Sequence, residues 1–191
     1  MIVRERILHE AILLIQQKGF TFTLLELSQR LGTSKRTIYE HFTSKDQMIG
    51  VIIEKVISEI KEKEKAISES SDIELLEKIK QILVFSPKNI EIMDIRLLSD
   101  LKKHHYQQWV ELDYFIKKEW TVVLHLMEQG ISQGIIRPIN VQAFIELYLG
   151  ALNQIYDPSA FSSNQQTIGE RLQNVVDILL NGISHHKEKE K

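Results

Sequence analysis

Two short apolar stripes separated by a glycine, in TLLELSQRLGTSKRTIYEHFTSKDQM at positions 23–48, leave this part of the chain few ways to fold. Leu24, Leu27 and Leu31 recur at the i, i+3, i+7 spacing of one helix face, and Thr23 precedes them as a candidate N-cap. Gly32 marks the stop, because a helix that ends abruptly needs a residue at ease with positive φ, and Thr33 or Ser34 can cap a second helix. In that second helix Ile38 and Phe42, four apart, pack back on the leucines and leave Lys35, Arg36, Tyr39 and Glu40 turned outward.

Two helices at a tight turn, with a basic outer face on the second, suit the major groove of B-DNA. Lys35 and Arg36 stand in the first turn of that second helix, where side chains reach base edges. Arg can fork onto guanine O6 and N7, Lys can reach the same acceptors or a phosphate, and the Tyr39 hydroxyl can serve either. Thr23, Thr33 and Ser34 bring hydroxyls and backbone N–H groups to helix starts, where phosphate is well held. Lys45, after Thr43 and Ser44, opens a further helix and is placed to hold the neighbouring backbone.

Ile7, Ala11, Phe20, Thr23, Leu27, Gly32–Ser34–Lys35, Ile38–Tyr39–His41–Phe42 and Ser44–Lys45–Asp46 form an ordered set running from about Arg6 to Ile53. In that set the chain resembles the TetR family of bacterial transcription regulators. The resemblance implies that Lys35, Arg36 and Tyr39 read DNA while Thr23, Thr33, His41 and Lys45 hold phosphates. Ser28 and Thr33 depart from the Ala and Val common at those places, and both fit the packing. Arg36 and Glu40 occupy positions that vary in the family, so they bear on which operator is read.

A chain of 191 residues with 43% apolar and 26% charged residues has room for a small module and a larger helical domain. The formal net charge is −2, but residues 1–50 hold seven Lys or Arg against five Asp or Glu, so the N-terminal end is mildly basic. There is no cysteine, hence no disulfide or thiolate metal site, and no long apolar run or signal peptide. A cytoplasmic protein with no membrane partner is expected. A phosphate-binding Gly loop, HExxH, GxSxG and a Glu-x-x-His pair are all missing, so neither an enzyme, a cofactor nor a metal site is expected. The adjacent pairs His104–His105 and His185–His186 diverge by about 100° on a helix, which suits surface residues better than shared ligands.

The periodicity predicts an all-α protein: a three-helix, helix-turn-helix DNA-binding domain at 1–48, a connecting helix at about 45–68, and a helical domain at 69–191, which the resemblance implies is an effector-binding and dimerisation domain. The first helix spans Val3–Lys18, and Ser71 or Asp72 is the expected cap after the polar break near Glu69. Downstream helices are expected at about 72–84, 88–103, 105–133, 140–156 and 165–186. The last two are apolar over more than one face, which calls for a second chain, with Phe144, Tyr148, Leu152, Leu172, Val176 and Leu179 as the expected homodimer contacts. The resemblance implies the same pairing of the last two helices. It also implies a small-molecule effector in the C-terminal helices, for which Arg96, Tyr106, Trp109, His125 and Tyr148 supply candidate side chains. The functional expectation is a homodimeric repressor released from a palindromic operator in double-stranded DNA by that effector. An activator, or a related dimer working through protein contacts alone, are the alternatives.

Overall fold

The computed structural model describes residues 3–85, 95–156 and 166–183, apart from the side chains of Ile95, Arg96 and Ile168. These residues form helices and turns, with no strand among them. Helix α1 (Val3–Lys18) buries Ile7, Leu8, Ala11, Leu14 and Ile15 and gives way to Gly19, whose φ of +71° stops it. A 3-10 turn (Gly19–Thr21) then carries Phe20 inside.

Helix α2 (Leu24–Leu31) opens with a capping box: the Thr23 hydroxyl accepts from the Glu26 amide, and the Glu26 carboxylate accepts from the Thr23 amide. It closes on Gly32 at φ 64°, with the Gly32 and Thr33 amides donating to the carbonyls of Gln29 and Ser28 at 3.1 and 2.9 Å. Helix α3 (Lys35–Tyr39) is a short helix of five residues capped by Ser34. The chain stays turned through Phe42, whose amide donates to Ile38 at 2.9 Å. Helix α4 (Lys45–Glu69) follows and buries Met48, Ile49, Ile52, Ile53 and Val56.

The chain divides into two compact units, one of Met1–Ile60 with Ser86–Lys118 and one of Lys61–Phe85 with Glu119–Lys191. In the first, α6 (Ile95–His104) and α7 (Tyr106–Lys118) add Leu101 and Leu112 to the core formed by α1 to α4. These two helices, placed by the sequence with the C-terminal part, therefore pack with the N-terminal helices. In the second unit α5 (Leu75–Val84) packs on α8 (Thr121–Ser132) and on α10 (Ile168–Ile183), which also packs on α9 (Val141–Tyr156).

Two predicted boundaries shift. Neither Ser71 nor Asp72 caps α5, which begins after Glu74 without a side-chain cap; Ser71 donates to Asp72 and the Asp72 amide reaches Ser70, so the polar run closes on itself. The single helix expected at 105–133 is two, broken before Thr121. The β-branched run Thr121–Val122–Val123 weakens helix continuity there, and Trp120 leaves helical geometry at φ −105°, ψ 12° to set its ring edge-on to Tyr148 at 5.5 Å.

Candidate nucleic-acid interface

Leu27 and Ile38 are wholly buried and Phe42 is 1% exposed, so α2 and α3 are pinned by apolar anchors that each contribute about 1.5–3 kcal/mol. With that face spent, the other face of α3 must point to solvent. Lys35 and Arg36 are exposed there, and Tyr39 keeps 52% of its surface. The three expected readers thus share one open face. Glu40 joins them, its carboxylate 3.6 Å from Arg36 Nε across one helical turn.

The expected phosphate holders are placed differently. Thr23 is exposed, but its hydroxyl and amide are taken up by the capping box. The Glu26 carboxylate on that amide is also 2.6 Å from Lys18 Nζ, and this ammonium together with the Thr23 hydrogen bonds lowers its pKa to about 2. Ser34 accepts from the Thr37 amide at 3.1 Å. Thr33 and His41 are half-buried beside the turn and after α3. Lys45 is turned inward: its ammonium donates to the Phe20 carbonyl and lies 4.3 Å from the Phe22 ring centre, and burial pushes its pKa down.

The frame behind the open face of α3 is polar and was not legible in the sequence. Asp100 on α6 accepts the Phe20 amide at 2.5 Å. His105, at the α6–α7 corner, meets Asp46 at 2.5 Å through Nδ1 and the Phe20 carbonyl at 3.4 Å through Nε2. His105 is only 7% exposed, which overturns its expected surface position; the corner folds its ring into the core edge-on to Phe20, 6.0 Å between centres. Thus the α6–α7 corner holds both the 3-10 turn and the start of α4. Arg6 adds a clamp from α1, donating to the Leu31 carbonyl at the end of α2 at 2.9 Å.

The candidate effector residues divide between the two units. Tyr106 is 64% exposed on α7, and Trp109, half-buried on the same helix, has Lys102 Nζ 5.6 Å from its ring centre. His125 is exposed on α8, Tyr148 is buried on α9 with its hydroxyl donating to the Leu83 carbonyl at 2.6 Å, and the Arg96 side chain lies outside the described residues. Among the described residues no cluster of His, Asp and Glu is arranged for a metal.

The six expected dimer contacts sit mostly inside their own chain. Phe144, Tyr148, Leu152, Leu172 and Val176 are all 6% exposed or less, because α9 and α10 turn those rows toward each other and toward α5; Leu179 is half-buried. The apolar side chains left outside are Leu147 at 63% and Ile178 at 71% exposure. They line an open groove with Ala143, Leu179 and Gly182.

Similarities to known proteins bear on this arrangement. Residues 7–52 match the family model described as bacterial regulatory proteins, tetR family. The uncharacterized HTH-type transcriptional regulator YvaF of Bacillus subtilis (strain 168) is 45% identical over 184 residues, covering 96% of this chain and 97% of its own. The crystal structure of the TetR family transcriptional regulator PfmR from Thermus thermophilus superposes with a TM-score of 0.70 at 19% identity, over 94% of this chain and 100% of that one. That of the transcriptional regulator FadR from Bacillus subtilis, in complex with stearoyl-CoA, gives 0.67 at 16% identity, over 94% and 98%.

Proposed function

The chain belongs to the TetR family of bacterial regulatory proteins, and from that premise we propose that it is a homodimeric repressor, released from a near-palindromic operator by a small-molecule effector. It is a DNA-binding transcription regulator, not an enzyme. The open face of α3 carries the reading: Lys35, Arg36 and Tyr39 stand outward on a helix whose opposite face is fixed by Ile38. A helix so held enters the major groove as a rigid body, and a two-fold dimer reads two half-sites.

In this reading residues 1–48 read the operator, with Ser34 beside Lys35, while 69–191 bind effector and pair the protomers. Thr23, Thr33 and His41 flank the groove at the phosphates, and Lys45 joins them by exchanging the Phe20 carbonyl for a phosphate oxygen. The dimer face centres on Leu147 of α9 and Ile178 of α10, since a row of exposed apolar side chains beside a groove is what a second copy buries. FadR, which shares this fold, is in complex with stearoyl-CoA, and long-chain acyl-CoA is therefore one class of effector to screen. Among the described residues no helix is long and apolar enough to cross a membrane.

Selection of random duplex DNA on the purified chain, with winners remeasured at two salt concentrations, tests this directly. A two-fold-symmetric enriched motif, with affinity lowered by an effector, is expected. Weak binding without sequence preference, equal for all duplexes, would refute it.

A further inference from the structure

We propose that Glu40 is a specificity-determining residue, forming with Arg36 one reading pair that selects guanine under the arginine and cytosine under the glutamate. The inference rests on α3 being the reading helix. Other carboxylates of this region are committed to the fold: Glu10 lies 2.6 Å from Arg30, Glu5 2.8 Å from Lys55, Asp46 2.5 Å from His105, and Glu26 closes the α2 capping box. Glu40 differs. Its one ion pair is at 3.6 Å, with side-chain exposures of 59% for Glu40 and 91% for Arg36, so it contributes little to holding the helix.

A carboxylate on a surface that approaches DNA is repelled by the phosphates, and it is tolerated where a base edge offers a donor. In the major groove those donors are the exocyclic amines of cytosine and adenine, and a lone carboxylate matches the cytosine N4 amine. Lys35 and Arg36 carry donors only, so Glu40 is the one charged acceptor on this face of α3. Residues at i and i+4 have Cβ atoms about 5–6 Å apart, which lets the two heads reach two adjacent base pairs. The two side chains then read neighbouring pairs, guanine acceptors through Arg36 and the cytosine amine through Glu40, and the same carboxylate penalises sequences that place guanine or thymine beneath it.

The test is random-duplex selection with the full chain, wild type against Glu40→Gln and Glu40→Ala, with circular dichroism confirming that each variant is folded. The wild type is expected to fix cytosine at one position of each half-site. Glu40→Gln should move that position toward adenine, because a carboxamide pairs with adenine N6 and N7. Glu40→Ala should level it, losing about five- to a hundredfold discrimination there while the guanine position persists. A wild-type motif left unchanged by both substitutions, or weakened uniformly at every position, would overturn the role of Glu40 and leave the regulator reading standing. No motif with the wild type would overturn both.

Discussion

Gly19 and Gly32 adopt nearly the same backbone, φ +71° and +64°, yet replacing each with alanine should have different consequences. At Gly32 a new Cβ meets nothing within 4 Å, so only the left-handed conformation counts. That strain costs about 1–2 kcal/mol, partly offset by about 0.4–1 kcal/mol from a stiffer unfolded chain, for a net loss of about 0.5–1 kcal/mol. At Gly19 the same Cβ would lie 2.5 Å from Asp100 Oδ2 and 3.3 Å from its Cγ. The carboxylate can swing away, but it then abandons the amide of Phe20, a residue 2% exposed. A buried N–H left without an acceptor costs about 1–3 kcal/mol, which brings Gly19→Ala to about 2–4 kcal/mol. Urea unfolding followed by circular dichroism, at equal protomer concentration, measures both. The double variant Gly19→Ala with Asp100→Ala supplies the decisive comparison, because the one hydrogen bond can be lost only once. Its loss should fall short of the sum of the singles by about 1–3 kcal/mol. Equal losses at Gly19 and Gly32, or strict additivity with Asp100→Ala, would refute the account.

Glu64 sits beside the Lys61–Glu119 ion pair of 2.6 Å, and burial above all raises its pKa from 4.5 to about 7. Its contribution to stability is thus complete below about pH 4.5 and lost as pH rises to about 7; Glu64→Gln should remove that slope, leaving the protein more stable by on the order of 2 kcal/mol at pH 8 in urea titrations. Tyr148→Phe keeps the ring against Trp120 but strands the Leu83 carbonyl, and should lower the urea-derived stability by about 1–2 kcal/mol. Leu147→Asp with Ile178→Asp should give a folded monomer in sedimentation velocity with greatly weakened operator binding; an unchanged mass would move the dimer face elsewhere. Lys45→Ala should lower the salt slope of operator binding by about one for each protomer, and an unchanged slope would leave Lys45 as an internal anchor of Phe20.

What was legible in the sequence was what local chemistry decides. Thr23, Gly32 and Ser34 act within three or four residues of themselves, so their caps and turn could be read off directly, and the position of Lys35, Arg36 and Tyr39 followed from Ile38 being inside. The clasp behind the open face of α3 joins partners 80 residues apart, Asp100 and Phe20, and 59 apart, His105 and Asp46, with no periodic signal to announce them. The rows expected at a dimer face are filled within the chain for another reason. On α9, Phe144, Tyr148 and Leu152 form one apolar row and Leu147 with Ala151 another, and periodicity cannot say which row neighbouring helices fill. The structure fills the first.

The same inventory of partners explains why base readout has to carry most of the selectivity. The N-terminal end is mildly basic, but Lys18, Arg30 and Lys55 are paired with Glu26, Glu10 and Glu5 at 2.6, 2.6 and 2.8 Å, which leaves few cations to attract phosphate. Each phosphate neutralised steepens the salt dependence by about 0.9 in log–log slope, so few contacts mean a weak grip on arbitrary DNA. A weak general grip raises the ratio of specific to non-specific binding, provided each half-site supplies base contacts worth about 1–3 kcal/mol per pair. In the proposed dimer, two copies of α3 double those contacts only when the half-site spacing is right. On the proposed reading, a modest change in that spacing on effector binding therefore removes much of the selective energy while there is little phosphate attraction to hold the protein in place.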